Sequence, residues 1–242
     1  MTGIIGAMEV EVAKLVAQME NEHAVDLAGL TFHVGRLCGQ DVTVVVCGIG
    51  KVCAAICTQV LIDRFGADRI INTGIAGGLD DRLKVCDIVI ATDAVQHDFD
   101  LCVFGYAKGH LPCSGGEKSL PSRFSADADL SDLLKKSADL HMGSSKYICG
   151  TVVSGDQFIC EDSVRAYLKS GFGAAAAEME GASIAQVCFL NHKPFAVIRA
   201  ISDLAGDDAG ISYEKFEEIA AERSAAIISD AMRIATEDGM YL

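Results

Sequence analysis

Five carboxylates follow short apolar runs of this sequence: Glu9, Glu11, Glu178, Glu180 and Asp203. In open α/β sheets the ligand crevice lies outside the carboxyl ends of the strands, so acids placed there by distant segments can converge on one pocket. Each acid alone has a simpler explanation, because a carboxylate in the first turn of a helix interacts favourably with the helix dipole. Together they predict a carboxylate-lined pocket, which suits a substrate that becomes positively charged during its reaction.

Motifs for phosphate cofactors, metals and serine nucleophiles are incomplete. The segment 48–51, Gly-Ile-Gly-Lys, opens a helix pattern, but Cys53 stands at the third glycine of G-x-G-x-x-G, and no G-x-x-x-x-G-K-[ST] occurs, so a tight turn suffices. His97 and Asp98 have only His110 as a further histidine on the same loop, which is too few ligands for a metal site. No G-x-S-x-G nucleophile motif is present. We therefore expect no metal and no cofactor.

The chain is acidic, with 242 residues, a formal net charge of −14 and a pI near 4.7. Non-specific binding to nucleic acid or anionic membranes needs a basic face, so we expect a small-molecule ligand instead. No apolar run reaches the roughly 20 residues that span a bilayer, and Met1-Thr2 leads directly into strand-like sequence without an export segment. We expect one cytoplasmic domain, residues 1–242, because no linker-like stretch divides the chain.

Ten cysteines are scattered through apolar segments, and no pair has C-x-x-C spacing. Cys53 and Cys57 would share a helix face, but no histidine lies near them in the sequence. Free cysteine in a reducing compartment behaves as a small hydrophobic residue. The pattern therefore favours buried, unpaired thiols over a metal or redox site.

Apolar periodicity predicts strands alternating with helices. The predicted strands are 3–7, 31–37, 42–47, 87–91, 146–154, 174–177 and 195–201, and the predicted helices are 8–19, 50–66, 127–140, 161–169 and 213–236. Such alternation predicts an α/β fold, with a mostly parallel or mixed sheet covered by helices on both faces.

Two segments need separate treatment. Helix propensity would carry a helix through 174–180, but four alanines also suit a tightly covered central strand, so we predict a strand followed by a helix from Gly181 or Ala182. Residues 96–117 lose periodicity and accumulate His, Asp, Gly and Pro together with three aromatic residues. That composition indicates a long functional or interface loop.

Ordered sequence blocks run nearly from end to end of the chain: Gly3-Ile-Ile-Gly-Ala-Met-Glu-Val-Glu11, Gly48-Ile-Gly-Lys-Val52, Ile71-Asn-Thr-Gly74 with Ala76-Gly-Gly78, Phe104-Gly-Tyr106, Val153-Ser-Gly-Asp156 with Phe158-Ile159, Glu178-Met-Glu180 and Arg199-Ala-Ile-Ser-Asp203. In these blocks the chain resembles the 5′-methylthioadenosine/S-adenosylhomocysteine nucleosidases of the purine nucleoside phosphorylase superfamily. The resemblance implies a three-layer α/β/α sandwich with a central mixed sheet and a homodimer. It also implies hydrolysis of an N-glycosidic bond, which releases adenine and a thioribose.

The resemblance assigns a role to each of three acids. Glu11 would orient and deprotonate the attacking water, Glu180 would bind the ribose hydroxyls with Met179 beside it, and Asp203 would protonate N7 of the leaving adenine. The other substrate-binding positions that it implies are Met8, Ile49, Ala76, Gly77, Leu101, Phe104, Tyr106, Phe158, Ile159, Glu178, Arg199, Ser202 and Tyr213.

These implied contacts divide by the part of the nucleoside they would touch. Phe158 would stack on the base while the backbone of Ile159 reads its edge. Arg199 and Ser202 would support the ribose and the catalytic aspartate. Tyr106 would come from the partner subunit, so the 96–117 loop would need a dimer.

Elementary chemistry agrees with an acid at the base and a carboxylate at the sugar. Glycosidic cleavage builds positive charge on the sugar and negative charge on the departing base, so the two groups act on opposite ends of the breaking bond. Protonating Asp203 at pH 7 from a reference pKa near 3.9 costs about 4 kcal/mol. We therefore expect burial, or a hydrogen bond to the protonated form, to raise the pKa of Asp203 when substrate is bound.

Members of the superfamily differ in the nucleophile, which is either water or phosphate. Where phosphorylases carry a basic phosphate-binding loop, this chain has Ala7-Met-Glu-Val-Glu11, whose acids would repel phosphate by several kcal/mol, on the order of Coulomb energies at partly desolvated range. Water is therefore favoured. A phosphate-dependent purine nucleoside phosphorylase, a hydrolase of aminofutalosine type or of AMP, and a non-catalytic ligand-binding relative remain as alternatives.

The chain departs from the family pattern at a few positions. Ile75 stands where the family usually has Ser, which removes a hydroxyl near the water and the ribose. Leu101, and Tyr213 where the family often has Phe, alter the expected pocket for the 5′ substituent. The preferred 5′ substituent is therefore left open.

Overall fold

A computed structural model describes residues 1–112, 120–141, 147–205 and 209–242. Its strands are β1 (Thr2–Gly6), β2 (Glu20–Leu27), β3 (Leu30–Leu37), β4 (Gln40–Val46), β5 (Arg69–Asn72), β6 (Ile75–Gly78), β7 (Ile88–Gln96), β8 (Phe124–Ser125), β9 (Tyr147–Ser154), β10 (Ala174–Glu178) and β11 (Phe195–Asp203). Its helices are α1 (Glu9–Ala17), α2 (Lys51–Phe65), α3 (Ala128–His141), α4 (Asp162–Phe172), α5 (Gly181–Leu190) and α6 (Ala209–Glu237).

The strands form one mixed sheet in the order β2-β3-β4-β1-β5-β11-β6-β10-β9-β7-β8. Strand β11 pairs in parallel with β5 and β6 and antiparallel with β7. Because β7 also pairs with β9, the strands β11, β6, β10, β9 and β7 close into a ring. All nine residues of β11 are buried, which explains why its sequence is mostly apolar.

Two apolar clusters cover the two faces of the sheet. One cluster joins residues of α1, α3 and α6 to the sheet, and the other joins residues of α2 and α5 to the opposite face. Helices on both faces make three layers, as the resemblance implied. The expected α/β fold with a central mixed sheet is confirmed.

Most predicted elements are present, including the strand at residues 174–178 and the helix that begins at Gly181. The alanines are buried between β9 and β6, where Gly150 lies so close that a Cβ there would come within 2.7 Å of the Ala175 Cβ. Tertiary packing therefore overrides the helix propensity of this segment. Of the 96–117 loop, residues 113–117 lie outside the described part of the chain.

Four strands, β2, β5, β6 and β8, were not predicted. Most of β2 is exposed, so it has no apolar face that would reveal it in the sequence. The glycine-rich block at residues 73–78 was not assigned to a strand, but Ile75–Gly78 is a strand whose glycines allow close packing. A Cβ on Gly77 would lie 2.8 Å from the Ala205 Cβ.

The expectation of buried cysteines is correct for only some of them. Cys47, Cys57 and Cys188 are buried, whereas Cys53, Cys102, Cys149 and Cys160 are exposed. Burial raises the pKa of Cys57 and of Cys188 to about 12, so neither thiol ionises readily. Within the described ranges no cluster of three metal-ligating side chains occurs, and no helix is both long and apolar enough to cross a membrane.

Candidate active site

A cavity of about 320 Å³ opens where β1, β6, β10 and β11 end. The residues that line it are Ala7, Met8, Glu11, Ile49, Ile75, Ala76, Gly77, Phe158, Ala177, Glu178, Met179, Glu180, Ser202, Asp203 and Tyr213. Four of the five carboxylates named from the sequence therefore meet around one space. The fifth, Glu9, is exposed in the first turn of α1 and does not line the cavity.

Glu11 is buried at the N-terminus of α1, and its carboxylate accepts three backbone N–H bonds. Its Oε2 lies 2.6 Å from the Ala7 nitrogen and 3.0 Å from the Met8 nitrogen, and its Oε1 lies 3.0 Å from the Ile75 nitrogen. Burial raises the pKa of Glu11, although Arg199 and these N–H groups oppose the shift. A fixed carboxylate with a raised pKa has the properties of a general base.

Two glycines allow Glu11 to occupy this position. A Cβ on Gly74 would lie 2.9 Å from the Glu11 Cδ, and closer still to its Oε1. A Cβ on Gly6 would lie 2.6 Å from Val12 and 3.1 Å from the Glu11 Cβ. These glycines are therefore needed for close approach to the carboxylate.

Glu178 is fully engaged by protein groups. Its Oε2 accepts hydrogen bonds from the Glu180 nitrogen at 3.1 Å and the Gly181 nitrogen at 2.8 Å, so it caps α5. The same oxygen pairs with the buried guanidinium of Arg199, and Ser154 donates to its Oε1. We infer from these contacts that Glu178 and Arg199 form a neutral ion pair that shapes the cavity wall.

Glu180 lies two residues after Glu178, and its carboxylate makes fewer hydrogen bonds to the protein than that of Glu178. Its Oε1 accepts one hydrogen bond, 2.8 Å long, from the backbone nitrogen of Gly50. Burial, together with the nearby charge of Glu178, raises the pKa of Glu180 to about 7, against the opposing effects of Arg199 and the Gly50 N–H. Glu180 therefore changes its ionisation near neutral pH.

Asp203 ends β11 and is 2% exposed. Its Oδ1 accepts a 2.7 Å bond from the Ala205 nitrogen, and Ser202 donates its hydroxyl to Oδ2 at 2.8 Å. Burial raises the pKa of Asp203, although both hydrogen bonds favour its ionised form and oppose the shift. The direction is the one expected for an acid that must be protonated, and burial is the cause.

The rest of the lining is apolar and partly aromatic. The rings of Phe158 and Tyr213 meet edge to face, with centroids 5.7 Å apart. The Tyr213 hydroxyl donates to the Met8 sulfur at 3.2 Å. Such walls suit a flat base and a small apolar substituent.

Several residues expected in the site lie elsewhere in this chain. Leu101, Phe104 and Tyr106 do not line the cavity, and Phe104 is 74% exposed. Arg199 lies behind Glu178, and Ile159 borders a small adjoining cavity that Asp203 and Phe158 also line. In this single chain the cavity is therefore lined by the acids and one aromatic wall. The described residues of the 96–117 loop do not line it.

Sequence reasoning missed the groups that hold the acids in place. Ser154 was quoted only as part of a sequence block, yet its hydroxyl contacts Glu178 and accepts a 2.7 Å bond from the Ala182 nitrogen. Asn72 accepts a hydrogen bond from Arg199. Their positions as the last residues of β9 and β5 were the available signal.

Comparison with known proteins gives a consistent result. Residues 2–233 match the family model of the phosphorylase superfamily. The 5′-methylthioadenosine/S-adenosylhomocysteine nucleosidase of Colwellia psychrerythraea is 42% identical over 231 residues, which cover 93% of each chain.

Two solved structures extend this similarity to the fold. A nucleosidase of the same name from Neisseria meningitidis, in complex with methylthio-immucillin-A, superposes with a TM-score of 0.91 at 40% identity, covering 96% of this chain and 98% of that one. A futalosine hydrolase of Helicobacter pylori superposes with a TM-score of 0.87 at 33% identity, covering 96% of both chains.

Proposed function

This chain belongs to the phosphorylase superfamily and, within it, to the 5′-methylthioadenosine/S-adenosylhomocysteine nucleosidases, and we propose that it hydrolyses the N-glycosidic bond of both nucleosides. The products are adenine and a thioribose. The observation that carries the proposal is the convergence of Glu11, Glu180 and Asp203 on one cavity. We further propose that residues 1–242 act as a single nucleosidase domain.

Glu11 would act on the water. Its carboxylate is held by three N–H groups, so it can orient a water molecule toward C1′ without reorganising. Its raised pKa makes it a better proton acceptor than an exposed glutamate. Its negative charge would also stabilise the cation-like sugar as the base departs.

Asp203 would act on the departing base. Burial already raises the pKa of its carboxyl group in the free enzyme, and an adenine over Asp203 would remove further water and raise it again. The protonated acid would then donate its proton to N7, so that adenine leaves as a neutral molecule. Phe158 would stack on the base, and the Ile159 backbone would read its edge.

Glu180 would bind the ribose hydroxyls as a carboxylate, with Met179 beside the sugar. One of its oxygens is held by Gly50, which leaves acceptor capacity for the substrate. Met8, Ile49 and Tyr213 would enclose the 5′-alkylthio group.

The charge of the cavity supports water as the nucleophile. Among the described residues, the lining contains four carboxylates and no lysine or arginine. The nearest buried cation, Arg199, is paired with Glu178. Phosphate next to one of these carboxylates would be repelled by about 4 kcal/mol at 4 Å and an effective dielectric constant of 20.

We propose a cytoplasmic homodimer, in which the 96–117 loop of one subunit reaches the cavity of the other. The support is exposed apolar surface: Val103 is 86% and Val52 69% exposed, and Phe104 and Ile49 are exposed as well. Consecutive exposed apolar residues such as Val103 and Phe104 are typical of a protein–protein contact surface. The nine described cysteines are unpaired, which suits a reducing compartment.

The test is release of free base from 5′-methylthioadenosine, S-adenosylhomocysteine, aminofutalosine and inosine, with and without phosphate. We expect adenine from the first two at a rate independent of phosphate. Preference for aminofutalosine, which the similarity to a futalosine hydrolase makes the second candidate, would assign the chain to that reaction. Phosphate-dependent release would refute hydrolysis.

A further inference from the structure

The N-terminus of α2 lies against the candidate site and has an unusual capping arrangement. Its N-cap, Gly50, has a φ of +99° and provides no side chain. The first two N–H groups instead reach carboxylates from distant segments: Gly50 donates to Glu180 at 2.8 Å, and Lys51 donates to Asp156 at 2.8 Å. Because Gly50 and Lys51 are adjacent, a displacement of Lys51 would also move the Gly50 N–H that holds Glu180.

Lys51 is fixed at its other end as well. Its Nζ pairs with the Asp98 Oδ1 at 2.6 Å and contacts the Gln96 Oε1 at 3.3 Å. The second oxygen of Asp98 accepts the Asp156 backbone N–H at 3.0 Å. Lys51, Asp98 and Asp156 thus form a closed triangle, which we name the Lys51 clasp.

The ion pair of the clasp is largely sheltered from solvent and strongly polarised, whereas Asp156 is exposed. The side chains of Lys51 and Asp98 are 17% and 18% exposed, unlike those of the surface ion pairs. Burial alone would raise the pKa of Asp98, but Lys51 and the Asp156 N–H more than offset it, so the pKa lies below its usual value. An ion pair of this kind can hold a fixed geometry.

We propose that Lys51 is a positioning residue for Glu180, acting through the clasp and the Gly50 N–H. Two residues after Asp156, the same backbone carries Phe158, so the clasp ties both the ribose carboxylate and the base-stacking ring to the start of α2. The inference rests on the proposed function, because it concerns how Glu180 is held ready to accept ribose hydroxyls. Without the clasp, we expect the Gly50 N–H to move away from Glu180 and the pKa of Glu180 to rise further.

The readout is the pH dependence of kcat/KM, which reports ionisations of the free enzyme. In Lys51→Met we expect the acidic limb of this pH profile, which reports the ionisation of Glu180, to move up by about one pH unit. The value of kcat/KM for 5′-methylthioadenosine should then fall about fivefold at pH 7 and return near the wild-type value at pH 9. Lys51→Arg, which keeps the cation, should restore most of the wild-type limb. A simple loss of folded protein would lower activity equally at every pH.

Asp98→Asn separates the clasp from simple charge effects. Removing the Lys51 cation would raise the pKa of Glu180 directly, whereas removing the Asp98 anion would lower it. The clasp predicts an upward shift in both variants, because either one breaks the triangle. Lys135 and Asp132, an exposed pair 2.9 Å apart on α3, provide matched controls as Lys135→Met and Asp132→Asn, for which we expect no shift.

The outcomes separate this inference from the proposed function. A wild-type protein that releases no adenine refutes the proposed function without any variant. If the wild type is active, the clasp is refuted when the acidic limb moves in neither Lys51→Met nor Asp98→Asn. It is also refuted when the limbs of these two variants move in opposite directions. If Lys51→Met does not fold, Asp98→Asn decides: an upward shift supports the clasp, and an unmoved or lowered limb refutes it.

Discussion

Gly74→Ala should inactivate the enzyme, because the added methyl would displace Glu11 and because Gly74 has a φ of +154°, which alanine rarely adopts. The added methyl would lie 2.9 Å from the Glu11 Cδ, where an ordinary contact begins at 3.4 Å, so the carboxylate must retreat by about 0.5 Å or more. Retreat stretches the bonds that Glu11 accepts from Ala7, Met8 and Ile75. Misplacing a catalytic group by about 1 Å can cost about 10²-fold, so we expect kcat to fall about 100-fold with little change in KM.

The assay is adenine release at saturating 5′-methylthioadenosine, with thermal unfolding as the check on folding. Gly171→Ala is the matched control, because a Cβ there meets only Tyr167 at 3.5 Å within α4, and its activity should equal wild type. In a Glu11→Gln background, Gly74→Ala should add little further loss, since both changes act on one group. A folded Gly74→Ala enzyme with wild-type kcat would refute the assignment of Glu11 as the base.

Three further changes probe the acid, the ribose carboxylate and the cavity wall. Asp203→Asn should lower kcat by about 10² to 10⁴ while keeping most of the affinity for substrate, and an active Asn variant would remove Asp203 from the acid role. Because the pKa of Glu180 is raised from 4.5 to about 7, this group contributes stability that is present below pH 4.5 and is lost as the pH rises through 7. Glu180→Gln should therefore be more stable than wild type at pH 8 by up to about 3 kcal/mol, with no such gain at pH 4; parallel denaturation curves at both pH values would contradict this. Ile75→Ser should lower the free energy of unfolding by about 2 kcal/mol or more, as for other large-to-small changes at a buried wall. It should also change the ratio of kcat/KM between 5′-methylthioadenosine and S-adenosylhomocysteine. An identical ratio would mark the position as neutral for specificity.

The sequence was most informative where burial is complete. Residues 195–201 could be predicted as a strand because a strand covered on both faces is apolar throughout, and β11 is buried along its whole length. By the same reasoning β2 could not be predicted, since its exposed side chains follow no apolar pattern. The helical propensity of 174–177 would have misled a reading based on propensity alone.

For the candidate site, the acids could be named from residue types and spacing, but only the family resemblance assigned them different roles. Glu178 and Glu180 are the same residue type and lie only two positions apart in the sequence. The difference between them comes from the Arg199 guanidinium on one and a single Gly50 N–H on the other. Backbone donors leave no trace in residue types, so these roles needed coordinates.

The pairing of β11 has a consequence for how the enzyme opens. This strand pairs first with β5, then with β7 and finally with β6, up to and including Asp203. Its outward movement would therefore break backbone hydrogen bonds to a neighbouring strand. Asp203, the proposed proton donor, is therefore held by a fully paired strand, and we expect amide protons of β11 to be among the last in the protein to exchange with deuterated water. We therefore expect entry of the nucleoside and escape of adenine to involve the opposite wall, where the rings of Phe158 and Tyr213 meet edge to face.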